Sequence, residues 1–171
     1  DADVLRAAQE RCFAKVQTRM MKGKKLVFLT IGDPSVYSTY HYIHRRVLAA
    51  GMSATMISGV PSFCAVAARL GISLADQDEE IHIIPGSYAV EDTVDYAGTR
   101  IYMKSGKKLE RLIGMLRTEL VRRKQQGENL EVYGVSNCGL PEECVMHGVD
   151  ALTQAVSYLT IVIVKVKKHD K

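Results

Sequence analysis

The sequence predicts an α/β protein in two lobes, and three observations carry that reading. The run Lys25–Ile31 (KLVFLTI) is continuously apolar, as a strand buried on both faces of a parallel sheet would be. A helical pattern, a second short strand, a Gly-Val-Pro-Ser turn and another helical pattern follow it in order, which suits a sheet built with right-handed crossovers. Beyond the acidic stretch Ala75–Glu80 the pattern changes to several strands around one long amphipathic helix.

The elements follow from N- to C-terminus. Asp3 caps a helix reaching about Met21 and closed by Gly23, with Val4, Leu5, Ala8, Cys12, Val16 and Met20 at helical spacing. The strand Lys25–Ile31 breaks at Gly32-Asp33-Pro34. Tyr37–Ala50 reads as a helix ended by Gly51, and Ala54–Ile57 as the second strand. Ser62 caps a helix Phe63–Leu70 that Gly71 closes. Then come a strand Ile81–Ile84 ended by Pro85-Gly86, a strand Thr99–Met103 and a long helix Lys107–Gln126. Strands Leu130–Val135, Glu143–His147 and Ser157–Lys167 complete the chain. The long helix sets Leu109, Leu112, Ile113, Leu116 and Leu120 on one face. Its basic residues Arg117, Arg122, Arg123 and Lys124 read as a solvated face near the negative end of the helix dipole. The lobes divide near Pro85: residues 1–84 form a partial N-terminal domain with a parallel sheet, and residues 85–171 a C-terminal α/β domain with a mixed sheet.

Composition narrows the function. With 171 residues, 47% apolar and 25% charged, the chain can bury a core, and whole-chain disorder is excluded. The longest apolar run, Ser157–Val166, is strand length, whereas a membrane-spanning helix needs about 20 apolar residues. Asp1-Ala2-Asp3 has neither the basic and apolar regions of a signal peptide nor an initiator methionine, so a segment upstream is expected. The net charge of +4 is mild and its basic residues are scattered, which gives no nucleic-acid footprint. Cys12, Cys64, Cys138 and Cys144 form no C-x-x-C pair; they are expected as reduced thiols in a cytoplasmic protein, although an even number also admits two disulfides. His41 and His44 have a metal-capable i, i+3 spacing, but no third ligand stands nearby in a recognised pattern, and no metal site is expected.

The common catalytic signatures are absent: no G-x-G-x-x-G, no Walker loop, no H-E-x-x-H and no G-x-S-x-G. Chemistry is instead expected at the end of the first strand, Leu29–Tyr40 (LTIGDPSVYSTY), because open α/β sheets bind ligands beyond the carboxyl ends of their strands. Gly32 permits close approach of a ligand to the backbone, Asp33 can accept hydrogen bonds from a ribose or an ammonium group, and Pro34 stiffens the turn. Ser38 and Thr39 place hydroxyls near the same crevice. Local chemistry equally allows a plain turn whose aspartate caps the next helix.

Three ordered segments tip that balance: Gly32-Asp33-Pro34, Ser58-Gly59-Val60-Pro61-Ser62 and Tyr102-Met103-Lys104. Together they resemble the tetrapyrrole methylase family, over nearly the whole chain. Within it, Gly32–Tyr40 (GDPSVYSTY) and Gly59–Leu74 (GVPSFCAVAARLGISL) look most like members that methylate carbon 20 of precorrin-2 or cobalt-precorrin-2. Ser58 and Pro61 depart from the family's usual proline and threonine, and Lys104 stands where many relatives have glycine. The family's N-terminal strand and its glycine- and proline-rich loop have no counterpart, so the chain is expected to begin partway through the first domain.

The resemblance implies S-adenosylmethionine as cofactor, S-adenosylhomocysteine as product, a tetrapyrrole acceptor and a homodimer without nucleic-acid or membrane partners. It implies cofactor contacts from Ile31, Gly32, Asp33, Val36, Pro61, Ser62, Met103 and Cys138, the last through its backbone rather than its thiol. Tyr37, Ser38 and Tyr40 would lie toward the substrate, and no catalytic base is assigned. Rival readings are a methylase acting on another precorrin, uroporphyrinogen or a diphthamide intermediate, a non-catalytic adenosyl-ligand-binding fragment, and a generic nucleotide-binding domain.

Overall fold

A computed structural model of the chain describes residues 2–86, 88–104, 108–155 and 157–168. Contacts gather into two compact units, Asp1–Pro61 and Ser62–Lys171.

In the first unit, α1 (Ala2–Met21) packs on α2 (Tyr40–Ala49). Val16, Ile43 and Val47 are buried between them, with Phe13, Met20, Leu26, Tyr40, Met52 and Ala54 around the edge. Asp3 sits inside the first turn of α1 rather than capping it, and Val4 and Leu5 of the expected apolar stripe are exposed. Helix α2 starts three residues later than expected, because Tyr37 adopts a left-handed φ of 49° that no helix can continue through.

Two expected strands are corrected here. Neither Lys25–Ile31 nor Ala54–Ile57 forms a hydrogen-bonded strand. Leu29 is 93% exposed, and Val27, Ile31 and Ile57 are each 84% exposed, so these runs are not buried on two faces. A strand exists only as a member of a ladder, and no ladder pairs them among the described residues. The second run keeps a period of two: Met52, Ala54 and Met56 are half-buried while Ser53, Thr55 and Ile57 face out.

The second unit opens with α3 (Ser62–Leu70), whose Phe63, Val66 and Ala67 are buried and which packs against the last strand. Its sheet comprises β1 (Ile81–Pro85), β2 (Thr99–Met103), β3 (Glu128–Ser136), β4 (Cys144–His147) and β5 (Thr160–Lys168), in the order β1-β2-β5-β3-β4. Among the described strands only the β1–β2 pairing is parallel; β5 is antiparallel to both β2 and β3, which therefore run in the same direction. The sheet is therefore mixed, as expected for the C-terminal part. Two 3-10 turns, Val90–Thr93 and Asp150–Gln154, were not legible as periodic segments. The long helix α4 (Leu109–Gln125) covers one face, burying Leu112 and Leu116 completely against Tyr102, Val162, Val164 and Met146. Lys107, where that helix was expected to begin, lies outside the described residues.

The basic residues of α4 are not one solvated face. Arg117 pairs with Asp150 and Arg122 with Asp95 at the surface. Arg123 is largely buried between Glu119 and Glu128. Glu119 in turn holds the completely buried Arg100 of β2 through two hydrogen bonds of 3.0 and 2.7 Å.

Gly114 interrupts α4, and a Cβ there would meet nothing within 4 Å. It lines a shallow groove of about 520 Å³ with Arg111, Thr118 and Arg122. Gly114→Ala is therefore expected to raise stability by about 0.5–1 kcal/mol through helix propensity alone. The midpoint of chemical denaturation reads this directly; a lower midpoint would contradict the open space beside it.

Candidate functional site

The chain turns sharply after Ile31. Gly32 takes φ 84°, a region closed to most side chains, and delivers Asp33 into a nearly closed position, 7% exposed. Asp33 then makes a short Asx turn: its Oδ1 accepts from the Ser35 backbone N–H at 2.8 Å and from the Ser35 hydroxyl at 2.5 Å. Its Oδ2 accepts from the Ser58 hydroxyl and the Gly59 N–H, both at 2.8 Å. Four donors thus converge on one carboxylate, two from each loop. Their hydrogen bonds hold the Asp33 carboxyl far below the usual carboxylate range, the Ser35 hydroxyl contributing most. Since the folded-state value lies below that of the unfolded chain, the network is complete at neutral pH; its contribution to stability fades only as pH falls below about 4.

Gly59 packs directly on the Gly32 carbonyl, where any Cβ would overlap the oxygen. Two loops 26 residues apart thereby present bare backbone side by side. Of the expected residues in this unit, Gly32, Asp33, Val36 and Pro61 lie within or beside these loops and are half-buried or buried. Ile31 is 84% exposed. Tyr37 is half-exposed on its left-handed backbone. The Ser38 hydroxyl accepts from the Tyr40 N–H at 3.2 Å, and the Tyr40 ring stacks near Phe28 at 5.1 Å while its hydroxyl meets His44 Nδ1 at 3.3 Å. His44 thus has a tyrosine partner, while His41 is exposed.

In the second unit, the strand registers bring the remaining residues to one end of the sheet. Pro85 lies opposite Met103, Met103 opposite Ile161, and Ile161 opposite Val135. The carboxyl ends of β1, β2 and β3 therefore open on the same edge, where the loop carrying Cys138 also begins. Met103 is buried there. Ser62 is the first residue of α3, so its N–H is among the four that lack an intrahelical acceptor.

Backbone strain marks the same places. Four described non-glycine residues have left-handed φ: Tyr37, Gln77, Lys104 and Asn137. Three of them adjoin expected contacts: Tyr37 follows Val36, Lys104 follows Met103, and Asn137 precedes Cys138. Such conformations concentrate at functional sites. At Lys104, φ is 58°, a conformation that glycine adopts freely and a lysine does not.

The Cys138 loop is held by residues that the sequence did not single out. Glu143 accepts from the Gly139 N–H at 2.8 Å and pairs with Arg69 of α3 at 2.5 Å. Asn137 accepts from the Ser157 hydroxyl at 2.7 Å. The Gly139 amide, followed by Arg69, keeps the Glu143 carboxyl below its ordinary value. Burial, then the neighbouring Glu143 charge, pushes the Cys138 thiol up. That is the opposite of an activated nucleophile. All four cysteines are free, and Cys12 and Cys64 are exposed. Iodoacetamide at pH 8 should therefore label Cys12 and Cys64 well before Cys138, as mass spectrometry of timed samples would show; early labelling of Cys138 would contradict this environment.

Ser35, Ser58 and Gly59 stood inside the segments that drew attention but were given no role of their own, and Glu143 and Arg69 were missed as site-forming residues. The D-x-S turn at Asp33 was a local signal for Ser35. The others act across the fold, and no spacing in the sequence announces them.

Comparison with known proteins follows the same lines. The model of the family described as Tetrapyrrole (Corrin/Porphyrin) Methylases matches residues 1–152. A relative from Methanocaldococcus jannaschii named "Probable cobalt-precorrin-2 C(20)-methyltransferase" is 31% identical over 112 residues, covering 66% of this chain and 47% of that protein. The cobalamin biosynthesis protein CobIJ of Mycobacterium tuberculosis is 30% identical over 76 residues, 44% of this chain and 15% of its own length. Among solved structures, the cobalt precorrin-4 methyltransferase CbiF superposes with a TM-score of 0.75 at 18% identity, covering 92% of this chain and 70% of that one. A Thermus thermophilus uroporphyrin-III C-methyltransferase complexed with S-adenosyl homocysteine superposes with a TM-score of 0.65 at 15% identity, over 92% of this chain and 73% of the other. The chain thus spans about half the length of the Methanocaldococcus relative.

Proposed function

This chain belongs to the tetrapyrrole (corrin/porphyrin) methylase family, and from that premise we propose that it serves S-adenosylmethionine-dependent methyl transfer to carbon 20 of precorrin-2 or cobalt-precorrin-2. The observation that carries the cofactor reading is the pair of bare-backbone loops, Gly32–Ser35 and Ser58–Gly59, closed on one another by Asp33. The choice of acceptor is supported by the Methanocaldococcus relative and by the run Gly32–Tyr40. We read residues 1–84 and 85–171 as the family's two lobes, the protein as a cytoplasmic homodimer, and Tyr37, Ser38 and Tyr40 as facing the macrocycle. No described helix is long and apolar enough to cross a membrane.

The residues present fit an adenosyl cofactor. Glycines at 32 and 59 leave backbone exposed for close contact, and the first-turn amide of Ser62 suits a carboxylate. When bound, S-adenosylmethionine supplies an electrophilic methyl group on a sulfonium. Ile31, Gly32, Asp33 and Val36 would hold it along the first loop, Pro61 by its carbonyl alone since proline lacks an N–H, and Ser62 by its amide. Met103 would contribute an apolar surface and Cys138 its backbone. What the chain must supply is alignment and exclusion of water, and orientation of this kind accounts for about 7–11 kcal/mol in well-aligned systems. Asp33 is an unsuitable base, because its carboxyl stays ionised with every oxygen engaged.

Calorimetric titration with S-adenosylhomocysteine, followed by mass spectrometry of precorrin-2, cobalt-precorrin-2 and uroporphyrinogen III incubated with S-adenosylmethionine, tests this. The expected result is saturable binding and a gain of one methyl on a precorrin-2 substrate. Binding without turnover would favour an adenosyl-ligand-binding piece of a longer enzyme, in keeping with its share of the Methanocaldococcus relative. Methylation of uroporphyrinogen III alone would replace the acceptor, and absence of binding would overturn the cofactor reading.

A further inference from the structure

Asp33 is the most heavily engaged side chain of the first unit. A carboxylate offers about four lone-pair positions. Here Oδ1 takes two donors from Ser35, and Oδ2 takes the Ser58 hydroxyl and the Gly59 amide, all within 2.5–2.8 Å. No position is left for a ribose hydroxyl or an ammonium group. The aspartate is also 7% exposed, so a ligand would have to displace an internal donor to reach it. Meanwhile the two loops that it joins are those whose glycine backbones touch.

We propose that Asp33 and Ser58 act as a positioning pair, setting the spacing of the two glycine loops, and that the Asp33 side chain is not itself a cofactor acceptor. This rests on the cofactor reading above and deepens it. The Asp33 carbonyl accepts from the Val36 N–H at 3.2 Å, so both the side chain and the carbonyl of Asp33 serve the loops themselves. Among the described residues, the Ser58 hydroxyl meets Asp33 at 2.8 Å and otherwise only its neighbour's carbonyl, at 3.5 Å. Because the carboxyl stays ionised well below neutrality, the spacing is constant across the working pH range.

The test compares the full chain with Asp33→Asn, Ser58→Ala and the double variant, in two measurements. Amide exchange in the free chain reports the pair without any ligand. Asparagine places an N–H₂ group against the donors of one loop, so Asp33→Asn should lose protection at Gly59 while the core of the second unit keeps its own. Calorimetry with S-adenosylhomocysteine reports the consequence. Asp33→Asn should weaken binding by about tenfold and Ser58→Ala by a few-fold, with unchanged stoichiometry, and the double variant should be no worse than Asp33→Asn alone. A merely structural defect would lower the fraction of competent sites and leave the dissociation constant alone. Ser58→Ala at full affinity beside a non-binding Asp33→Asn, or additive losses in the double variant, would overturn the proposal in favour of direct contact. Unchanged Gly59 protection in Asp33→Asn would overturn it regardless of affinity. A wild-type chain that binds no S-adenosylhomocysteine refutes the cofactor reading and this role with it, a result distinct from every variant pattern.

Discussion

Glu119→Ala is expected to destabilise the second unit by about 3–5 kcal/mol, the usual cost of removing one partner from a buried ion pair. Arg100 is completely buried, and without Glu119 its guanidinium keeps neutral partners among the described residues, the carbonyls of Thr93 and Val94, both at 3.2 Å, and the neighbouring Tyr102 hydroxyl. Its Nε has no hydrogen-bond partner among the described residues even with Glu119 in place. The carboxylate of Glu128 does not replace that of Glu119, because Glu128 is engaged with Arg123. Breaking the exposed Arg117–Asp150 pair, with side chains 55% and 85% accessible, should cost under about 1 kcal/mol. The pairing, not the charge count, is what matters, so Arg100→Met with Glu119→Leu should recover much of the loss. Urea denaturation monitored through the second unit measures all three. A loss for Glu119→Ala no larger than that of Arg117→Ala would show that water reaches Arg100.

Gly59→Ala is expected to weaken S-adenosylhomocysteine binding by more than about tenfold, the equivalent of about 1.4 kcal/mol of lost contact. The added Cβ would overlap the Gly32 carbonyl oxygen, and a backbone atom cannot swing aside as a side-chain end can. The loops must separate, taking the Gly59 amide and the Ser58 hydroxyl away from Asp33. Gly134→Ala is the instructive contrast. Its Cβ would press on Leu152 Cδ2 at 2.6 Å and Met146 at 3.2 Å, which are side-chain atoms of the second unit's core. That variant should lose about 1–3 kcal/mol of stability by overpacking while its cofactor affinity is retained. Equal affinity of Gly59→Ala and wild type would show that the loop apposition is dispensable.

These cases show which parts of the molecule were legible in its sequence. Thr99–Met103 was expected as a strand and is one, and Leu109, Leu112, Ile113 and Leu116 of α4 are buried on the expected face, because local periodicity records burial; Leu120, expected with them, is 38% exposed where the helix runs past the core. Lys25–Ile31 misled for the same reason turned around. Its composition says that it suits a buried strand, but strand formation also requires a neighbour, and that information is not in the run itself. The Gly-Asp-Pro turn was legible as a place of interest, since glycine, aspartate and proline each restrict a turn in a known way. The partners of Asp33 were not, because Ser58 and Gly59 reach it only through tertiary structure. Glu119 and Arg100 were hidden too: sequence alone makes a charged residue on a basic helix look solvated, and only the sheet beneath it buries the pair.

The strand order has a consequence for how the second unit is made. β5 is the last strand in sequence yet lies at the centre of the sheet, between β2 and β3. The β1–β2 pair and the β3–β4 hairpin share no ladder without it. During synthesis the sheet therefore waits as two separate two-stranded pieces, each marginal by itself, until Thr160–Lys168 has left the ribosome. A nascent chain halted before that strand should remain open to proteases and chaperones, and emergence of Thr160–Lys168 should close the sheet in one step.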